Sequence, residues 1–215
     1  MVGRIFRLCL AVGMAGLYLP SGARAGEIRE VTVRVFNKAR VSVGDLGKAL
    51  RETQAIYSES GIAIRWEVGS IEDHDSMALD FSANGASGGV CSQTKSGLLN
   101  LLLVRGPANS SGSPTLGLAL PCAKFGSHAL VFVDRCENAM QGRPASLGKV
   151  LGHAMAHEIG HVLLGTDAHS VGGLMKARWG RTDWLAVAAG HLRIAPEDGE
   201  RMRLGLDRES VAATR

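Results

Sequence analysis

Apolar and polar residues alternate in two short stretches near the front of the chain. Val31, Val33 and Val35 are interleaved with Thr32 and Arg34, and Ile62, Ile64, Trp66 and Val68 with Ala63, Arg65 and Glu67. A period of two places one set on the buried face of a sheet, so both stretches are predicted strands. Between them Val43, Leu46, Leu50 and Tyr57 recur at helical spacing, with Ser42 placed to cap the helix and Gly61 to end it. Strand, helix, strand of this length predicts a right-handed crossover joining a parallel pair.

Further along, Leu98 to Val104 is a continuous apolar run that predicts a buried strand, flanked by stretches 69–97 and 105–115 rich in Gly, Ser and Asn. Loops of that length are functional or mobile. Leu116 to Leu120 and Ala129 to Val133 are two more candidate strands. Ser146 is placed to cap a helix running to about Leu164, and a last helix is expected from Pro196 to about Leu204. The fold class expected is α+β: a twisted, mostly parallel sheet, an N-terminal crossover helix, a long helix at 146–164 and a small C-terminal helical subdomain. No repeat and no second composition regime divides the chain, so residues 26–215 are expected to form one domain.

The first 25 residues are not expected to belong to that domain. Arg4 and Arg7 form a positive start, Leu8 to Leu19 is an apolar run stopped by Pro20, and Ala23-Arg24-Ala25 is a small-x-small cleavage site. This is the pattern of an export signal, with a product beginning near Gly26. The run is short for a membrane span, and Cys9 lies inside the signal in a poor setting for lipid attachment, so no stable membrane anchor is expected. Cleavage removes Arg4, Arg7 and Arg24 and no acidic residue, which takes the formal charge from +4 to +1. With no dense Lys/Arg stripe left, nucleic-acid binding has no support.

Three cysteines remain, Cys91, Cys122 and Cys136, in a compartment where disulfides persist. Cys91 with Cys122 is the favoured pair, because both lie in loop-like surroundings that a staple would restrain, which leaves Cys136 over.

The chemistry concentrates at His157-Glu158-Ile159-Gly160-His161, followed by Gly165, Asp167 and His169. Histidines four apart on a helix share a face about 5–6 Å apart at Cβ, within reach of one metal ion. Glu158 stands next to the first of them, where a carboxylate takes a proton from a metal-activated water without being a ligand. His153, a turn earlier, is read as a packing or supporting histidine. His128, His191 and His74 lack partners at ligand spacing and are expected on the surface or in hydrogen bonds. Trp179 and Trp184 are expected in the core or on a pocket wall.

The run His157-Glu158-x-x-His161, with a glycine closing the helix, a further histidine and then Gly173-Leu174-Met175, resembles the metzincin clan of zinc metallopeptidases. The strand-helix-strand opening and the late helix are similar to the clan's layout. The resemblance implies zinc as cofactor, a peptide or protein as substrate, endopeptidase activity and a methionine turn at Met175 beneath the metal; whether a protein inhibitor controls the activity is not written in the residues. The third ligand departs from the clan's pattern. There the glycine follows the second histidine by three residues and the last ligand by six; here Gly165 follows by four, Asp167 by six and His169 by eight. His169 is favoured because imidazole is the common partner of zinc, with Asp167 as the alternative and Glu197 or Glu200 as poorer ones. The tyrosine that often assists the oxyanion in the clan has no counterpart near the turn; Arg178 and His191 are the substitutes at hand. A secreted metal-binding protein without proteolysis is the competing reading. A thiol capping the metal is a weaker one.

Overall fold

The computed structural model describes residues 28–69, 98–106, 115–120 and 127–213, with side chains beyond 207 left aside. The expected export signal, the Cys91–Cys122 pairing and His74 fall outside the described residues. Among the described residues ten elements follow in order: β1 (Arg29–Asn37), α1 (Val43–Ser58), β2 (Ile62–Val68), β3 (Leu98–Val104), β4 (Gly117–Leu120), β5 (Ser127–Phe132), α2 (Val133–Met140), α3 (Leu147–Leu164), α4 (Arg181–Ala189) and α5 (Pro196–Ala213). Among the described residues the sheet has the order β2-β1-β3-β5-β4. Every pairing is parallel except β4 with β5, which is antiparallel and puts β4 at one edge. The expected mixed α/β class and the crossover through α1 are present.

The alternation in β1 sends Val31, Val33 and Val35 into the main core beside Ile62, Ile64, Leu99, Leu101 and Leu103. Phe36, Leu102 and Leu130 form a smaller apolar cluster of their own. Ser42 caps α1 as expected, its Oγ accepting from the Asp45 N–H at 3.1 Å. Ala49, Thr53, Ile56 and Tyr57 form the buried stripe of that helix. Its regular turns end at Ser58, and Gly61 takes a positive φ of 72° three residues later, where the chain turns into β2.

α3 is the central element, with residues buried along almost its whole length. Its approach to α1 depends on two missing side chains. A Cβ at Gly148 would lie 2.6 Å from Lys48 Cβ, and one at Gly152 would lie 2.6 Å from Glu52 Cβ and 2.9 Å from the Ala49 carbonyl oxygen. The close contact lets the Thr53 hydroxyl donate to the Gly152 carbonyl at 2.9 Å and the Tyr57 hydroxyl to the Ala156 carbonyl at 2.8 Å. α3 is thereby fixed in height and rotation against α1, which fixes whatever its other face presents.

Several expectations need correction. The run expected as a strand to Val133 ends at Phe132, and Val133 opens α2, so Cys136 lies on a helix, fully buried and as a free thiol. α2 was not legible because it has only 8 residues and no side-chain cap at Phe132. α4 was missed as well: glycine stands at its N-cap and Val187 alone is buried on it. α5 runs on to Ala213 instead of stopping near Leu204. Of the two settings expected for His128, the surface is ruled out: it is fully buried in β5, opposite Asn100 and Leu120.

Candidate metal centre and cleft

His157 and His161 project from the same face of α3, and the helix ends one residue before Gly165. That glycine adopts the left-handed conformation, φ 63° and ψ 28°, and its turn closes with the Thr166 N–H donating to the His161 carbonyl at 3.2 Å. The reversal carries the chain back across the helix end. His169 arrives beside the other two histidines, its ring centroid 5.4 Å from that of His157 and 4.8 Å from that of His161. One nitrogen of each of the three rings lies within 4.8 Å of the other two. Asp167 borders the same cleft but contributes no atom to that group, nor do Glu197, Glu200 or Cys136.

The fit of this triad to a metal ion can be tested on its hydrogen bonds. His157 donates from Nδ1 to the Leu174 carbonyl at 2.9 Å, and His161 donates from Nδ1 to the Thr166 carbonyl at 3.0 Å. With the proton on Nδ1 in both rings, both Nε2 atoms carry lone pairs. Those atoms face each other at 3.0 Å. Two acceptors that close repel unless a cation lies between them, and zinc–nitrogen bonds of 2.0–2.1 Å in a tetrahedral site put nitrogens about 3.3 Å apart. The donor set fits a divalent ion, and the backbone carbonyls that orient the rings are the outer partners such a site uses.

Electrostatics point the same way. Burial, then the neighbouring His161, pull the His157 pKa down to about 4, and burial also lowers His161. Neutral imidazoles are the ligating form. Burial pushes the Glu158 carboxyl up to about 8 in the metal-free protein. This carboxyl lies against Gly117 of β4: a Cβ there would fall 2.5 Å from Glu158 Cγ and 2.6 Å from its Oε1. Glycine at 117 is therefore what admits Glu158 to the floor of the cleft beside an edge strand.

Met175 is fully buried. Its sulfur fills the space a side chain at Gly160 would occupy, the notional Cβ lying 2.5 Å from Sδ, so it packs against α3 in the turn that carries His157 and His161. The turn is anchored by the Leu174 N–H donating to the Arg193 carbonyl at 2.7 Å and by the Ser170 N–H donating to the Met175 carbonyl at 2.9 Å. Gly173 has φ 68° with the Arg193 carbonyl 2.8 Å from its notional Cβ, so the turn requires glycine there. The Leu174 carbonyl that orients His157 also accepts from Trp179 Nε1 at 3.1 Å. Below His169, the Ser170 hydroxyl donates at 2.8 Å to Asp198, which is buried on α5.

His153 stays out of the metal group. Its Nδ1 donates to the Lys149 carbonyl at 2.8 Å, its Nε2 lies 3.8 Å from Glu52, and its ring meets Trp179 edge-on. Trp179 and Trp184 both line the cleft. Of the two oxyanion candidates Arg178 borders the cleft, whereas His191 is exposed and does not. Tyr57 is fully buried against α3, its hydroxyl held by Ala156. The cleft, about 680 Å³, also includes Arg135, Arg143 and Lys176, which no motif in the sequence marked. Their signal was tertiary: α2 and the α2–α3 turn bring Arg135 and Arg143 to the site, and the turn at Met175 brings Lys176.

No protein-family model matches the sequence, and no curated protein matches it. Several solved structures are similar to this chain. A zinc-dependent peptidase from Methanocorpusculum labreanum aligns with TM-score 0.47 and 14% identity over 79% of this chain and 99% of its own. Metalloproteinase-II from Bacteroides fragilis aligns with TM-score 0.44 and 15% identity over 83% of this chain and 53% of its own. Archaemetzincin from Methanopyrus kandleri aligns with TM-score 0.44 and 16% identity over 87% of this chain and 100% of its own.

Proposed function

We propose that this chain is an exported zinc-dependent endopeptidase, with His157, His161 and His169 as ligands and Glu158 as general base. The observation that carries the reading is the convergence of three imidazoles, two of them with facing lone pairs at 3.0 Å, beside a buried carboxyl in an open cleft. A metal store needs the histidines but has no use for Glu158 placed against an edge strand.

Zinc held there would lower the pKa of water and polarise a peptide carbonyl. Glu158 accepts the proton that water gives up and returns it to the departing amine. To accept that proton the carboxyl must start ionised, a form that a neighbouring cation favours against the burial that raises its pKa in the metal-free protein. The edge of β4 offers main-chain partners to an extended peptide, and the absence of a side chain at Gly117 keeps that approach open. Arg178 borders the cleft, which supports it as the group that meets negative charge on the carbonyl oxygen. The export-signal pattern of residues 1–25 supports an activity outside the cytoplasm, in the periplasm or the medium.

The test is to incubate the zinc-loaded chain beginning at Gly26, beside its Glu158→Ala twin, with a mixed peptide library and to identify cleaved bonds by mass spectrometry. Cleavage confined to the unmodified chain is the expected result. Absence of cleavage with zinc held tightly by both proteins would reassign the chain as a metal-binding protein without proteolysis.

A further inference from the structure

The charge lining the cleft is unbalanced. Arg135, Arg143, Lys176 and Arg178 border it, against Glu158 and Asp167. Both carboxyls belong to the metal end, Glu158 beside His157 in the chain and Asp167 acting on His161. Lys176 is matched by Asp183 at 2.5 Å. Among the described residues neither Arg135 nor Arg143 forms a salt bridge.

Arg135 is the more informative of the two because it is only 9% exposed. Its Nη1 donates to the Thr115 carbonyl at 2.9 Å, its guanidinium lies 4.0 Å from the Phe132 ring centroid, and its Nε has no hydrogen-bond partner. A buried cation without a carboxylate is costly, and a guanidinium with donors to spare is built for a planar anion. Arg143, which also lines the cleft, lies 4.5 Å over the Trp184 ring. Trp184 meets Trp179 edge-on at 5.4 Å, and Trp179 meets His157 edge-on at 6.1 Å. The aromatic wall thus runs without a break from the metal ligands to the Arg143 guanidinium.

We propose that the cleft selects substrates carrying a carboxylate, received between Arg135 and Arg143 at a residue removed from the scissile bond. This rests on the peptidase reading. The carboxylate is supplied either by an acidic side chain within the peptide or by a free C-terminus. Carboxylate matches the guanidinium by two parallel hydrogen bonds, which a neutral amide of the same shape does not reproduce.

The experiment measures kcat/KM of the zinc-loaded chain on end-blocked peptides that differ by Glu or Gln at each position around the cleaved bond. A second arm compares free and amidated C-termini on the Gln series. Expected is a preference of about tenfold or more for the charged member in one arm, the size of a lost hydrogen bond to a charged group. That preference should collapse in Arg143→Gln, whose exposed side chain makes misfolding no explanation, and in Arg135→Gln. Cleavage without a charge preference in either arm, or a preference untouched by both substitutions, overturns the proposal. Binding of the same peptide pairs to the Glu158→Gln chain, read by Trp179 and Trp184 emission, does not depend on turnover. Tighter binding of the charged member there, with no cleavage by the unmodified chain, sinks the peptidase reading and leaves the carboxylate site standing; equal binding sinks the site.

Discussion

Glu158 offers a prediction that can be read without any substrate. Burial holds its pKa near 8 in the folded, metal-free protein, against an ordinary value of 4.5. A carboxyl with a raised folded pKa binds its proton more tightly when folded. Its contribution to stability is whole below pH 4.5 and is lost as pH rises through 8. At about 1.4 kcal/mol per unit the full swing is roughly 5 kcal/mol, and the part lost between pH 6 and pH 8 is about 2 kcal/mol. Glu158→Gln keeps the shape and removes the titration. His157, with its pKa lowered to about 4, changes stability in the opposite sense, gaining as pH rises from 4 toward 6.5. Both proteins retain it, so it cancels in the comparison. Urea melts of the chelator-treated proteins at pH 6, 7 and 8 should show the unmodified chain losing about 2 kcal/mol more than Glu158→Gln over that range. Adding zinc should flatten the difference, because a neighbouring cation holds the carboxyl ionised in the folded state. Parallel pH profiles for the two metal-free proteins would refute the placement of Glu158 in a desolvated site.

Three other outcomes test separate parts of the architecture. His169→Ala should weaken zinc binding, measured by competition with a chromogenic chelator, by more than the roughly 10–100-fold typical of a lost outer partner, and Asp167→Asn by much less; the reverse ranking would make Asp167 the ligand. Gly152→Ala should destabilise the metal-free fold by about 1–2 kcal/mol, the cost of forcing α3 off α1 less the gain in helix propensity, and a stability equal to or above that of the unmodified chain would contradict the close packing. Gly117→Ala drives a methyl group into Glu158 and the Leu130 carbonyl, so kcat should fall by roughly a hundredfold while zinc affinity holds. Parallel loss of metal binding would show that the damage lies in the fold.

Periodic, local signals carried the reading of the sequence a long way. The alternation at Val31 to Val35 and at Ile62 to Val68 marked two strands that do pair in parallel, because a half-buried strand writes its faces into every second residue. Ser42 and Gly165 marked helix limits because capping is settled within a few residues, whereas Ser146 stands at the N-cap of α3 without a side-chain capping hydrogen bond. The spacing of His157, Glu158 and His161 determined that two imidazoles share a face with a carboxylate next to them.

The tertiary structure decided what depends on contacts between distant segments. Short helices such as α2 and α4, without side-chain caps at their starts, take their shape from packing and leave little trace in the residue order. Which of Asp167 and His169 stands near the other imidazoles follows from the path of the chain after Gly165, a backbone reversal that residue types alone leave open. Gly117 is 41 residues from Glu158 by number, and their contact exists because β4 pairs with β5 beside α3. That neither Arg135 nor Arg143 meets a carboxylate among the described residues belongs to the same class: a sequence states that a residue is charged, and only the fold states whether its charge is answered.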